Sequence, residues 1–309
     1  MNKKISIIIP VFNNQDSLEL LHTQIVKIFK ENSHIEYQII FVDDCSNDNS
    51  REILKKINKI NPKVTLIFLT NNCGQGPAVK AGFDNADGDY FVTIDADLQD
   101  PPEIILEMFN HSYNDKFDVI VAARLSSERN ILRRICSFVS NLIIRASIKD
   151  YPIGGFNCWL MNKKFFDIYI KLTSGMSQID IFKIGLKRKV IYYEKRKRLY
   201  GSSQYSFASL LSVFFDLISE SANKIFKIIF ISGLIIFIIS ILNVLIMSFN
   251  YLIWGNSNPK GTLAILAYIS LFGAINILFI GIVGIYLVKI IDNKKNKYYI
   301  SEIIKNKIN

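Results

Sequence analysis

Apolar and polar positions alternate in blocks along the chain up to Arg198, and each block has the length of one secondary-structure element. Ile5 to Ile9 is a short β-branched run closed by Pro10, which predicts a buried strand. From Gln15 to Lys30 apolar residues recur at helical spacing, with Leu18, Leu21, Ile25 and Ile28 on one face. Tyr37 to Val42 predicts a second strand, ending in Asp43-Asp44. Asp48 to Ile60 predicts a second helix with Asn47 or Asp48 as its N-cap. Val64 to Leu69 is a third strand running into the polar loop NNCGQG, and Pro77 to Ala86 is a helix with proline in its first turn. Tyr90 to Ile94 is a fourth strand. Beyond it, Phe117 to Ala123 reads as a strand ending at Arg124, and Asn130 to Ile148 as a basic-apolar helix. Pro152 to Leu160 reads as a strand, Asn162 to Leu172 and Ile179 to Leu186 as short helices, and Lys187 to Arg198 as an apolar-basic strand.

Strands and helices at this short spacing predict an α/β fold with a mostly parallel, Rossmann-like sheet. Ligands bind such sheets beyond the carboxyl ends of the strands. The polar punctuation falls at those ends: Asn13-Asn14, Asp43-Asp44, Asn71 to Gly76 and Asp95 to Asp97. Their convergence on one edge predicts a nucleotide or phosphate site.

After Lys224 the pattern changes. Phe207 to Phe226 keeps helical spacing, with Leu210, Leu211, Phe214, Leu217 and Ile218 on one side, as a helix lying along a membrane surface would. Ile228 to Met247 carries no charge over a length that spans a bilayer, and Thr262 to Val288 is a second such run. The expected division is 1–204 as a cytosolic domain, 205–227 as a juxtamembrane amphipathic helix, 228–291 as a two-helix transmembrane domain and 292–309 as a basic tail. Lys224 and Lys227 precede the first span, and Lys289, Lys294, Lys295 and Lys297 follow the second. This lysine bias places the large domain and both termini in the cytosol, and the expected location is the cytoplasmic (inner) membrane, as a multi-pass protein. The connector faces the other side, with Tyr251 and Trp254 suited to the interface.

Composition narrows the partners. The chain of 309 residues carries a net charge of +10, which suits an anionic membrane face or phosphorylated substrates. No nucleic-acid-binding signature accompanies the charge. Cys45, Cys73, Cys136 and Cys158 are scattered without zinc spacing and read as reduced thiols.

The chemistry centres on TIDADLQDPPE, Thr93 to Glu103. Residues i and i+2 of an extended chain point to the same side, so Asp95 and Asp97 are expected to face one spot past the fourth strand. Two clustered carboxylates repel unless a cation sits between them. Mg²⁺ or Mn²⁺ holding a substrate phosphate would satisfy them. Pro101 and Pro102 then end the strand and lead into a helix.

The segments Pro10-Val11-Phe12-Asn13, VDDCSND, NNCGQGPAVKAG, DGDYFVTIDADLQDPPE and RKRLYGSSQYS together resemble the family 2 glycosyltransferases of GT-A fold. More narrowly they resemble the polyprenyl-phosphate branch, the dolichol-phosphate mannose synthases and bactoprenol glucosyltransferases. The resemblance implies a nucleotide-sugar site at Pro10, Phe12, Asn14, Asp43, Asp44, Gly74, Gln75, Asp95 and Ala96. It implies a metal site of Asp95, Asp97 and Gln99. It implies acceptor phosphate contacts from Arg124, Arg133, Ser137, Arg196, Arg198 and Ser203, with Asp97, Arg124 and Arg198 closest to the chemistry. The sequence departs from that pattern at Asn157, where many relatives are acidic, and at Gln204, where lysine is common.

The reaction so implied is inverting transfer of a hexose, glucose-like and UDP-linked, to a polyprenyl monophosphate. The acceptor phosphate is already anionic and needs no general base. Two other readings stay open. Transfer to a sugar hydroxyl of a lipid-linked glycan would need a base, for which Asp180 is the candidate. A non-catalytic donor-binding membrane subunit would need neither. The residues also leave room for a homo-oligomer whose spans pack between protomers.

Overall fold

The computed structural model describes residues 3–125, 151–152, 156–172, 181–182, 184–194, 196, 207–254, 262–294 and 298–306. The chain divides into two compact units. One comprises 1–203 with 295–309, the other 204–294.

The first unit is built on eight strands: β1 (Lys3–Val11), β2 (Ile35–Asp43), β3 (Val64–Leu69), β4 (Tyr90–Thr93), β5 (Val119–Arg124), β6 (Phe156–Asn162), β7 (Arg188–Tyr193) and β8 (Ile300–Lys305). They form one sheet in the order β7-β5-β6-β4-β1-β2-β3-β8. β1 runs parallel to β2 and β4, β2 to β3, and β5 to β7. β6 is antiparallel to both β4 and β5.

Alternation sorts the core into two faces, because successive strand side chains point to opposite sides. Ile5, Ile7, Ile9, Ile39, Phe41, Leu66 and Phe68 face one side, packed with Leu18, Leu21 and Ile25 of α1 (Leu18–Glu31). Leu54 of α2 (Ser50–Ile60) and Ile104, Ile105 and Met108 of α4 (Ile104–Tyr113) join them. Ile40, Val42, Ile67 and Leu69 face the other side, against Ala78 and Ala81 of α3 (Gln75–Asp84). Phe166 of α5 (Lys163–Leu172) stacks on Phe91 of β4 at 3.7 Å between ring centroids. The sheet is thus buried on both sides, which accounts for its nearly unbroken apolar strands.

Several boundaries differ from the sequence expectation. The strand expected over Pro152–Leu160 is Phe156–Asn162, and that over Lys187–Arg198 shrinks to Arg188–Tyr193. The N-cap of α2 is Asn49, which makes no side-chain cap bond; Asp48 instead accepts the Ser50 N–H at 3.0 Å and the Gln15 N–H at 3.1 Å. The largest surprise is β8. Residues placed in a basic tail form an edge strand antiparallel to β3, pairing Thr65 with Lys305 and Leu69 with Ile300. The helix expected over Asn130–Ile148 lies outside the described residues, and that over Ile179–Leu186 falls partly outside them.

The second unit is a pair of helices, α6 (Phe207–Trp254) and α7 (Thr262–Lys294). The segments expected as a juxtamembrane helix and a first span therefore form one continuous helix. No proline or glycine interrupts the chain between Phe207 and Ser232, so nothing in the sequence stops it there. The helices run antiparallel: Gly281 meets Phe230, Gly233 meets Leu278, and the Ser240 hydroxyl donates to that of Ser270 at 3.1 Å. A Cβ at Gly281 would lie 3.0 Å from the Phe230 Cα, so glycine there lets the helices approach. Ile228–Ile246 and Ala267–Gly284 are each long and apolar enough to cross a membrane. Ile231, Ile235, Leu242, Ile269 and Phe272 stand exposed on this pair.

Candidate active site

The carboxyl ends of β1, β2, β3 and β4 carry the polar loops, and hydrogen bonds tie these loops together. Asn13, at φ 53°, accepts the Asn47 N–H at 2.9 Å, and its own N–H donates to the Ser46 hydroxyl at 3.0 Å. Asn14 accepts the Phe12 N–H at 3.1 Å and donates its N–H to the Ser50 hydroxyl at 3.0 Å. Pro10 lies within β1 opposite Val42, and Phe12 stands exposed at the rim.

Asp43 and Asp44 are both buried. Asp43 is paired with Arg51 Nε at 2.5 Å and accepts the Ser46 N–H at 3.2 Å. Asp44 accepts the Cys73 N–H at 2.7 Å and the Gly74 N–H at 2.8 Å. Gly74 sits at φ 88°, the left-handed region that glycine enters without strain, and it is the N-cap of α3. Burial raises the Asp44 pKa, and the two N–H donors and Asp43 modify that shift. Each member of the acidic pair thus holds a neighbouring element in place.

The motif loop departs from the extended geometry expected of it. β4 stops at Thr93, and Asp97 lies in a turn, its carboxylate accepting the Gln99 N–H at 3.1 Å while Leu98 takes φ 60°. Ala96 is buried, and its carbonyl accepts the Ser17 hydroxyl at 2.7 Å. Asp95 collects donors from three directions. Gln75 Nε2 reaches Oδ1 at 2.7 Å, while Asn157 Nδ2 and Arg124 Nη2 reach Oδ2 at 2.6 and 3.4 Å. Burial and the nearby Asp100 carboxylate push the Asp95 pKa up to about 6, against the pull of Asn157 and Arg124.

Arg124 ends β5. Burial works against its charge, but Asp100 more than offsets this and keeps the guanidinium protonated. Arg196 comes to the same loop: its N–H donates to the Gln99 carbonyl at 3.0 Å and its side chain pairs with Glu103 at 3.0 Å. Arg133, Ser137, Asp180, Arg198 and Ser203 lie outside the described residues.

The structure therefore brings together Gln75, Asp95, Asp97, Gln99, Arg124 and Arg196. It adds Asp100, Asn157 and Tyr193, which were not expected as site residues. Asn157 carries a signal in the sequence, as a departure from the family pattern; its amide suits the position because a carboxylate there would face Asp95. Among the described residues no cluster of three or more His, Cys, Asp or Glu could hold a metal ion. Asp95, Asp97 and Gln99 offer only oxygen donors. That set fits Mg²⁺ or Mn²⁺, which are commonly held by one or two carboxylates together with water and substrate phosphates.

A doubly covered, mostly parallel sheet with this acidic loop at its carboxyl edge has the architecture of the GT-A fold. Residues 6–166 match glycosyl transferase family 2, and the chain belongs to that family. It is 29% identical over 303 residues to a Bacillus subtilis (strain 168) protein that bears the glycosyltransferase name CsbB, covering 96% of this chain and 90% of that one. It is 28% identical over 312 residues to the undecaprenyl-phosphate 4-deoxy-4-formamido-L-arabinose transferase of Proteus mirabilis, covering 97% of this chain and 94% of that one. Among solved structures it resembles glucosyl-3-phosphoglycerate synthase from Mycobacterium tuberculosis in complex with Mn²⁺, UDP-glucose and phosphoglyceric acid. That likeness has a TM-score of 0.50 and 11% identity, covering 70% of this chain and 78% of that one.

Proposed function

We propose that this glycosyltransferase moves a hexose, glucose-like, from a UDP-linked donor to a polyprenyl monophosphate at the cytosolic face of the membrane, with inversion. The observation that carries the reading is the meeting of Arg124 with the Asp95–Gln99 loop, an arginine beside an acidic edge that suits two phosphates at once. The printed name of the Proteus mirabilis relative, with undecaprenyl phosphate in it, supports the acceptor class. The UDP-glucose and Mn²⁺ in the mycobacterial structure support the donor and the cation.

The loops at Phe12, Asn14, Asp43, Asp44 and Gly74 would receive the nucleotide. Asp95, Asp97 and Gln99 would hold Mg²⁺ or Mn²⁺, which when bound stabilises charge on the leaving diphosphate. Arg124 and Arg196, with Arg133, Ser137, Arg198 and Ser203, would take the acceptor phosphate; a guanidinium can donate to two of its oxygens at once. The acceptor oxygen is anionic near neutral pH and needs no general base to become a nucleophile.

The apolar helices and the lysine bias support a membrane location with both termini cytosolic. Connectivity adds to this. β8 follows α7 in sequence yet joins the sheet of the first unit, so an inserted pair of helices must cross an even number of times.

The test is to incubate membranes bearing the protein with polyprenyl phosphate and a panel of radiolabelled nucleotide sugars, with and without chelator. A labelled lipid that disappears with chelator and returns with Mn²⁺ or Mg²⁺ is expected. No labelled lipid from any donor would sink the reading.

A further inference from the structure

Asp100 and Tyr193 lie behind the site. Asp100 has no exposed surface, and a buried carboxylate is costly unless its charge is met. It is met twice. Arg124 donates from Nε to Oδ1 at 3.2 Å and from Nη2 to Oδ2 at 3.2 Å, a two-pronged pairing that sets the plane of the guanidinium. The Tyr193 hydroxyl donates to the same Oδ1 and accepts from Arg124 Nε at 3.3 Å. The contact of Arg124 with Asp95, at 3.4 Å, is longer than either bond to Asp100.

The anchor stands on rigid parts of the fold. Arg124 and Tyr193 are direct partners in the parallel β5–β7 register, and the next N–H, of Leu125, donates to the Tyr193 carbonyl at 2.9 Å. Strand ends fix a side chain more closely than loops do.

We infer that Asp100 and Tyr193 are positioning residues that set the place and plane of Arg124 beside Asp95. They act through Arg124 and touch neither substrate. The inference rests on the proposed reading that Arg124 meets a phosphate. It goes beyond that reading in naming what aims the arginine.

The test uses full-length protein and the variants Tyr193→Phe, Arg124→Lys and their double. Tyr193→Phe keeps the ring and its packing and removes only the hydroxyl, and a melting curve checks that it folds. It is expected to lower kcat about 10-fold while the donor KM stays within about twofold, since small misplacements of a reacting group are expensive. The double variant is expected to be no slower than Arg124→Lys alone, because the hydroxyl acts only through the guanidinium. Multiplying effects would overturn the inference, as would unchanged kcat in folded Tyr193→Phe.

A second arm needs no transfer. Phenylglyoxal condenses with guanidinium groups, and mass spectrometry locates the adduct. Tyr193→Phe is expected to raise the rate of modification at Arg124 severalfold while Arg51 reacts as before. Equal rates at Arg124 would refute the anchor. Absence of any transfer to polyprenyl phosphate would count against the proposed function alone, and the modification arm would still judge the anchor.

Discussion

Asp44 shows how a residue can be committed to structure at the mouth of a site. Its oxygens hold the N–H groups of Cys73 and Gly74, so Asp44→Ala leaves the Cys73 donor without its partner and the Gly74 donor with only the Asn72 side-chain oxygen at 3.2 Å. A loss of about 1–3 kcal/mol of stability is expected, read by chemical denaturation, together with weaker donor binding by calorimetry. In the proposed reading Asp97 belongs to the chemistry instead. Asp97→Asn is expected to lower transfer by about 10–100-fold with little change in melting temperature. Asp118 gives a pH signature. Burial alone would raise its pKa, but hydrogen bonds from Asn162, the Lys187 N–H and Lys164 outweigh burial and hold it below the usual aspartate value. A carboxylate depressed in this way favours the folded state above its unfolded pKa, and that contribution fades as pH falls through the folded value. Asp118→Asn is therefore expected to flatten the loss of stability below about pH 4, measured by melting at graded pH. The places of Asp95 and Arg124 at the ends of β4 and β5 were legible from the sequence because charged residues closing apolar runs stand out. Asp100 and Tyr193 were not. Asp100 sits inside an acidic motif that already has a reading, and its burial depends on a β5–β7 pairing that no local pattern announces.

At the scale of elements, the first four strands and their helices were legible because each strand is buried on both faces and reads as an apolar run. β8 was not. Its sequence ISEIIK follows a lysine-rich stretch, and its partner strand lies far away in the chain. Its hold on the sheet is specific: the Thr70 N–H donates to the Tyr299 carbonyl at 2.9 Å, the Ser301 hydroxyl to the Phe68 carbonyl at 2.9 Å, and Asn306 to the Asn58 carbonyl at 2.7 Å. Thr70 is also the root of the loop that carries Gly74. Ending the chain at Lys294 would uncover the edge of β3, and bare edges invite pairing with other chains. The truncated protein is expected to melt about 5–10 °C lower, to aggregate on gel filtration and to bind donor more weakly. Unchanged melting and donor binding would show that β8 is dispensable.

For the whole molecule, the return of β8 to the sheet makes topology testable without reference to activity. A cysteine introduced in the 255–261 connector is expected to react with a membrane-impermeant maleimide in intact cells. A cysteine at Asn309 is expected to react only after the cells are opened, with the native cysteines silent in the intact-cell control. Labelling of both positions in intact cells would contradict the proposed topology. The acceptor is read most directly in vesicles. Purified full-length protein in vesicles should be offered polyprenyl monophosphate, the matching polyprenol and a sugar-bearing polyprenyl lipid, each with the active nucleotide sugar, and the products weighed by mass spectrometry. One hexose added to the monophosphate and nothing added to the polyprenol is expected; transfer to the sugar-bearing lipid with none to the monophosphate would overturn the proposed function.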